Sequence, residues 1–209
     1  MSMLFYYAPG ACSMASHIVL QEVGAEFTPM LVDFETRQQH SPEYAKVNPR
    51  KRVATLIVDG ETLTEEIAIL CYIATRFREP DLLPSDPMEL GKCLSLMSFI
   101  ASFVHVAVGH IARPERYSYE EDVFPNMIKK GKADFWAQLE ELDRFLEGRR
   151  WSMGDGYTVA DPYMLVVYRW GLKLKTDIHK LKNWVRFNDQ MLQRPAVQRV
   201  YAREGHKLV

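Results

Sequence analysis

Tyr6-Tyr7-Ala8-Pro9-Gly10-Ala11-Cys12-Ser13 is the stretch on which the fold turns. Residues 3–7 read as a strand of bulky side chains, Ala8-Pro9-Gly10 as a turn, and residues 12–23 as a helix with Gly24 at its C-terminal end. A strand that feeds a helix through a tight turn sets Cys12 at the helix N-terminus. Unpaired N–H groups there carry partial positive charge. A thiol in that position has its thiolate favoured, or it donates to a bound thiolate. Ser13 can offer its hydroxyl to the same anion, and Tyr7, ending the strand, its phenol. The plainer alternative is a small packed thiol, a common fate of free cysteine.

Outward from this turn, residues 27–32 form a second expected strand. Residues 37–50 are polar, with a short helix possible after Ser41-Pro42. Residues 52–58 and 62–63 flank Asp59-Gly60, a strong hairpin signal. Apolar residues at 67, 70, 73, 74 and 77 predict a helix over 67–77. Beyond the Pro- and Asp-rich segment from Glu79 to Pro87 the pattern becomes helical throughout. Leu90, Leu94, Met97, Ala101, Val104, Val108 and Ile111 alternate steps of four and three, predicting one long helix over 88–112. Further helices are expected over 119–146, 158–174 and 178–192, with a last one opened by Pro195.

Two features of this helical part carry chemistry. Ser95, Ser98, Ser102, His105 and Gly109 form a second stripe roughly 100° from the apolar seam. Small polar residues with a single histidine suit a cleft wall or a close helix contact; a solvated face is the alternative. His110 has no such setting and reads as structural or exposed. Thr158-Val159-Ala160-Asp161 is a capping box ahead of an apolar helix, and Asp161 is expected to return to the backbone at the helix start.

Composition bounds the rest. Hydrophobic residues are 47% and charged residues 25% of the 209, ordinary for a soluble globular protein. With Lys+Arg 26 against Asp+Glu 27, the net charge of −1 offers no drive towards nucleic acid or an anionic membrane. No stretch approaches the uninterrupted apolar length of a membrane span, and no signal peptide is expected. Cys12, Cys71 and Cys93 make an odd set without a C-x-x-C. That argues against a disulfide framework or a metal site and fits a reducing cytoplasm.

Together these segments resemble the cytosolic glutathione transferases, and among them the bacterial beta class. The residue 6–13 stretch matches that class's opening. Asn48-Pro49 falls before the third strand, and Leu63-Thr64-Glu65 precedes an apolar helix as in the family. Gly154-Asp155-Gly156-Tyr157-Thr158-Val159-Ala160-Asp161 matches the motif of the helical domain, and His105 aligns with the beta-class active-site histidine. The resemblance spans essentially the whole chain. It implies an α/β thioredoxin-like N-terminal domain, with a mixed four-stranded sheet and helices, over residues 1–80. A linker over 81–87 and an all-α C-terminal helical domain over 88–209 would follow.

The resemblance further implies a cytoplasmic homodimer active in detoxification, with glutathione as co-substrate and no permanently bound cofactor. The reaction implied is conjugation of the glutathione thiolate to a small hydrophobic electrophile. By family role Cys12, Tyr7, Ser13 and His105 surround the sulfur. Ala11, Cys12, Val53, Ala54, Glu65 and Glu66 would bind glutathione, and Ser98, Ser102 and His105 would line the electrophile pocket. A mixed disulfide between Cys12 and glutathione is a second chemistry, and a non-catalytic binding or regulatory member of the fold a third.

Three positions depart from the family pattern. Val53-Ala54 replaces Val-Pro with its cis peptide, and a trans bond with local rearrangement is expected. Glu66 stands where the family has a small residue that donates to the γ-glutamyl carboxylate. Its own carboxylate is expected to repel that anion or to occupy the helix-end anion site, unless it merely complements the helix dipole. Val106 follows the histidine where beta-class members often have lysine. These changes leave the fold reading intact and point to weaker glutathione binding.

Overall fold

The structure is a computed structural model and describes residues 2–207. Four strands, β1 (Met3–Tyr7), β2 (Thr28–Leu31), β3 (Thr55–Val58) and β4 (Glu61–Thr64), form one sheet in the order β2-β1-β3-β4. β1 runs parallel to β2 and antiparallel to β3, which pairs antiparallel with β4 through the Asp59-Gly60 turn. Period-two alternation in β1 sends Met3, Phe5 and Tyr7 to one face and Leu4 and Tyr6 to the other. Tyr6 meets Tyr44 of α2 (Pro42–Val47), with ring centroids 5.7 Å apart. On the opposite face lie α1 (Met14–Glu22) and α3 (Glu66–Arg76).

Met14 through Leu20 are all buried. A helix buried on every side has neighbours on every side. α1 is indeed gripped between the sheet and the helical domain, against α7 (Ala160–Lys173) and α9 (Pro195–Glu204). One hydrophobic core therefore runs from Phe5 and Ile18 into Tyr163 and Val200. At its rim Arg194 forks onto Glu22, Nε to Oε1 at 2.6 Å and Nη2 to Oε2 at 3.0 Å.

The expected helix over 88–112 is interrupted in its geometry. α4 (Pro87–Phe99) passes through a π-helical turn, Ile100–Val104, into α5 (His105–Ala112). A π turn accommodates an extra residue, so the faces before and after it fall out of phase. Contrary to expectation, this 26-residue helix is by length and composition apolar enough to cross a bilayer, its most apolar 18-residue window having a mean hydropathy of 1.7. Its Cys93, Met97, Ile100 and Val104 are buried and pack towards α6 (Phe124–Phe145) and α7.

α6 starts five residues later than the pattern predicts, because Pro125 sits in its first turn, where a missing N–H costs nothing. The helix expected over 178–192 breaks at Leu181. Asp143 of α6 accepts from Trp184 N at 3.0 Å and so caps α8 (Lys182–Leu192) from another element.

Candidate functional site

Gly10 takes φ +68°, the left-handed conformation that glycine reaches without penalty, and turns the chain between β1 and α1. Trp170 of α7 donates from Nε1 to the Gly10 carbonyl at 3.1 Å, and the Gly10 N–H donates to Glu204 of α9 at 3.0 Å. The helical domain thus holds the turn that carries Cys12 from both sides.

A cleft of about 300 Å³ opens between this turn and α5. Cys12, Val53 and Phe34 form one wall, and Ala101, His105 and Val108 the other. Cys12 is nearly buried, and its Sγ donates to the Val53 carbonyl at 3.4 Å. Burial and the nearby Glu66 push its pKa well up, against the pull of the Ser13 and Cys12 amides. Cys12 therefore keeps its proton at neutral pH and is a donor, the second of the two roles open to a thiol at the helix end.

His105 faces the cleft from across, its ring 4.7 Å from that of Trp170. Burial, then Arg113, Arg116 and Arg52, depress its pKa to about 4. The imidazole is neutral at pH 7 and can accept or donate a hydrogen bond.

Other expected site residues lie elsewhere. The Ser13 hydroxyl is spent on the turn, accepting from Ala8 N at 3.2 Å and facing Ala8 O at 3.3 Å. Tyr7 packs inward, its ring 4.9 Å from His17 and 6.1 Å from Phe5. Ser98 and Ser102 are exposed, and the Ser102 hydroxyl donates to the Ser98 carbonyl at 2.7 Å. The cleft takes Ala101 from the π-helical turn together with His105, while the serines point away from it to solvent. Ala11 lines the cleft, while Ala54 is buried beneath it. His110 stands edge-on to Tyr117 at 4.3 Å.

The Val53-Ala54 bond is cis, correcting the trans expectation. Carbonyls on its N-terminal side are held by partners: Arg52 O accepts from Tyr44 Oη at 2.6 Å and Asn48 Nδ2 at 2.9 Å, and Val53 O accepts from Cys12. These contacts select the chain path without a proline ring.

Glu65 heads α3 with φ +73°, rare for a residue with a Cβ, and its exposed carboxylate lies 3.4 Å from Arg50. Backbone outliers of this kind gather at functional sites. Glu66 does not project towards an anion site. It turns inward to α1, where Oε1 accepts from Ser16 N at 2.8 Å and Ser16 Oγ at 2.6 Å. Burial, against those hydrogen bonds, lifts its pKa to about 8. At neutral pH the group is largely protonated, so the expected repulsion of an anion is largely absent.

A pH dependence of stability follows. The folded value lies above the unfolded 4.5, so the folded state holds the extra proton between about 4.5 and 8. The stability linked to this proton is complete below 4.5 and is lost as pH rises through 8. Urea unfolding from pH 5 to pH 9 should show wild-type stability falling with pH, and Glu66→Gln should flatten that slope. An unchanged slope in the variant would assign the effect to another group.

Sequence reasoning missed Trp170, Phe34 and the cleft's cations. Arg50-Lys51-Arg52 was visible as a charge run. Nothing in the pattern near Trp170 distinguishes it from an ordinary core aromatic.

Comparison with known proteins places relatives beside this fold. Residues 1–75 match the family described as Glutathione S-transferase, N-terminal domain. The chain is 33% identical to Glutathione S-transferase GstA of Escherichia coli O157:H7, over 98% of this chain and 100% of that protein. It resembles the solved structure of a glutathione transferase homolog from Sulfitobacter with bound glutathione, with a TM-score of 0.93 and 29% identity over 97% of this chain and 98% of the other. It is also similar to the bacterial beta class glutathione S-transferase of Sphingomonas chungbukensis, with a TM-score of 0.85 and 32% identity over 99% and 100% of the two chains.

Proposed function

The chain belongs to the cytosolic glutathione transferase superfamily, and from that premise we propose that the cleft between Cys12 and His105 is where the transfer takes place. The protein is a glutathione transferase, with glutathione as its co-substrate. The glutathione sulfur lies beside Cys12, whose thiol turns from the Val53 carbonyl to donate to the thiolate and so favours its ionised form. The Val53 backbone takes the cysteinyl part, and the head of α3 at Glu65 the γ-glutamyl end. A small electrophile with an apolar body sits towards His105, against Phe34 and Val108. The thiolate attacks its electrophilic carbon, a carbon–sulfur bond forms, and the leaving group departs with its bonding pair. The observation that carries this reading is the Cys12 thiol, protonated and pointed at Val53 O, facing a neutral His105 across an open cleft.

The same observation favours conjugation over a Cys12 mixed disulfide, because a thiol that holds its proton is a poor nucleophile. The non-catalytic alternative rested on Ala54 and Glu66. It loses support once Glu66 is seen turned inward onto Ser16 and largely protonated. Homodimerisation is supported by the long α4–α5 helix, whose most apolar window is only 28% buried, with Met88 and Phe103 exposed along it. Action in the cytoplasm, in detoxification of reactive electrophiles, is the setting that fits these properties.

Calorimetry with glutathione and a turnover assay with chlorodinitrobenzene test the proposal, with sedimentation equilibrium reading the dimer. Saturable binding and turnover are expected. Cys12→Ala should keep binding and lower kcat/KM by about tenfold, the loss of one charge-assisted hydrogen bond. Complete loss of turnover in the variant would favour mixed-disulfide chemistry, and absence of saturable binding in the wild type would overturn the reading.

A further inference from the structure

Lys51, Arg52, Arg113, Arg116 and Lys173 all line the cleft, and no aspartate or glutamate does. Among the described residues none of the five has a carboxylate within 4.0 Å. The chain as a whole is nearly neutral, so this is a local concentration of one sign. Like charges gathered in a partly buried cleft repel one another, and the groups record it. Burial, then Arg113 and Arg52, bring Arg116 down to about 10, while Glu115 only partly opposes them. Arg113 is lowered by burial and Arg52, and its guanidinium lies 5.3 Å from the Phe34 ring centroid, where it stacks without neutralising anything. His40 is also lowered, by burial and then by Arg37, Lys51, Arg116 and Arg52.

The cations divide between two walls. Lys51 and Arg52 immediately precede Val53, on the side proposed for glutathione, whose glycyl carboxylate they can take. Arg113, Arg116 and Lys173 belong to the helical domain, on the side proposed for the electrophile. Glutathione with its sulfur ionised has too small a net charge to neutralise both sets. Guanidinium forks bind carboxylates through paired N–H donors, and a cleft lined by one sign of charge draws in the opposite sign.

We propose that the electrophile is itself an anion: a small apolar body that carries a carboxylate, seated with the carboxylate on Arg113 and Arg116 and its reactive carbon towards Cys12. This rests on the transferase reading of the cleft and adds the substrate class. The reacting bonds are those already described. Sulfur bonds to the carbon that bears the leaving group, the leaving group takes its electron pair, and the carboxylate is unchanged.

Two aryl halides that differ in this group test the assignment: neutral chlorodinitrobenzene and its carboxylated counterpart chlorodinitrobenzoate, both of which lose chloride to the thiolate. Each kcat/KM is divided by the uncatalysed rate with free glutathione, so that ring reactivity cancels. The corrected value should favour the benzoate by about tenfold, one charge-assisted contact. The preference should shrink as salt is raised, and the ratio should fall towards one in Arg113→Gln/Arg116→Gln, with Arg→Lys at both sites intermediate. A corrected ratio at or below one, or a ratio untouched by salt and by the double glutamine variant, would overturn the proposal.

Turnover of neither halide would instead count against the transferase reading. Calorimetry of the two glutathione conjugates then still decides the substrate class. Tighter binding of the carboxylated conjugate supports it, and equal or weaker binding overturns it.

Discussion

Asp161→Ala will cost about 3–5 kcal/mol of folding stability, read as a lowered urea midpoint with the slope unchanged. Asp161 is fully buried at the head of α7. Its Oδ2 accepts from Thr158 N at 2.7 Å and faces the Thr158 hydroxyl at 3.3 Å, while Oδ1 accepts from Ser152 N at 2.7 Å. Alanine would orphan two buried backbone donors, each costing about 1–3 kcal/mol when left without water or acceptor. Asn keeps one acceptor and sets an NH₂ against the other donor, so Asp161→Asn should fall about halfway. α7 also carries Trp170 to the Gly10 turn, so glutathione affinity should drop with stability. A loss of less than about 1 kcal/mol in the alanine variant would show that water or a shifted loop satisfies those donors.

Glu204→Ala is expected to cost a similar amount, about 3–5 kcal/mol, by stranding a buried partner. Glu204 joins α9 to the first domain: Oε1 lies 2.8 Å from His17 Nδ1, Oε2 accepts from Gly10 N, and His206 Nε2 stands 3.3 Å from Oε2. His17 is fully buried and its Nε2 has no partner among the described residues, so Glu204 is its one hydrogen bond there. Burial would raise the pKa of Glu204, but the approach of His17 and His206 and the Gly10 amide prevail and hold it below 4.5. A depressed folded value means the contribution is present above the unfolded pKa and is lost as pH falls through the folded one. Wild type should therefore lose stability in acid below about pH 4.5 more steeply than Glu204→Gln. The Gly10 turn carries Cys12, so Glu204→Ala should also raise the KM for glutathione. A stability loss with KM unmoved would separate the clamp from the site and leave Glu204 purely structural.

Both residues illustrate what was legible. Asp161 stood out because a capping box is a local pattern: donor, acceptor and helix start lie within four residues of one another. The clamp at Glu204 joins positions 10, 17 and 204, and no periodicity links them. Helix existence followed from apolar spacing, while helix ends moved wherever a distant residue decided them, as Asp143 does for α8. The stripe from Ser95 to Gly109 divides in a similar way: its serines form the solvated face that was the alternative reading, and a π-helical turn at Ile100–Val104 interrupts the ideal 100° steps before His105.

Cys12 and His105, expected at the site from motif and resemblance, both line the cleft. The same resemblance set Tyr7 and Ser13 beside the sulfur, whereas β1 alternation sends Tyr7 into the core and the turn consumes the Ser13 hydroxyl. Glu66 was expected to be a charge, and its protonation depends on a burial that no local pattern records.

By itself the sequence determined the family, the order of strands and helices, the hairpin and the turn that carries Cys12. These depend on residue periodicity, turn chemistry and contiguous motifs, all encoded over short spans. Only the tertiary structure decided that Cys12 is a donor thiol, that Glu66 is largely neutral at pH 7, and that five cations face one cleft. Charge state depends on burial and on the distance to other charges. Those distances are set by residues far apart in the chain, brought together when α1 is enclosed between the sheet and the helical domain.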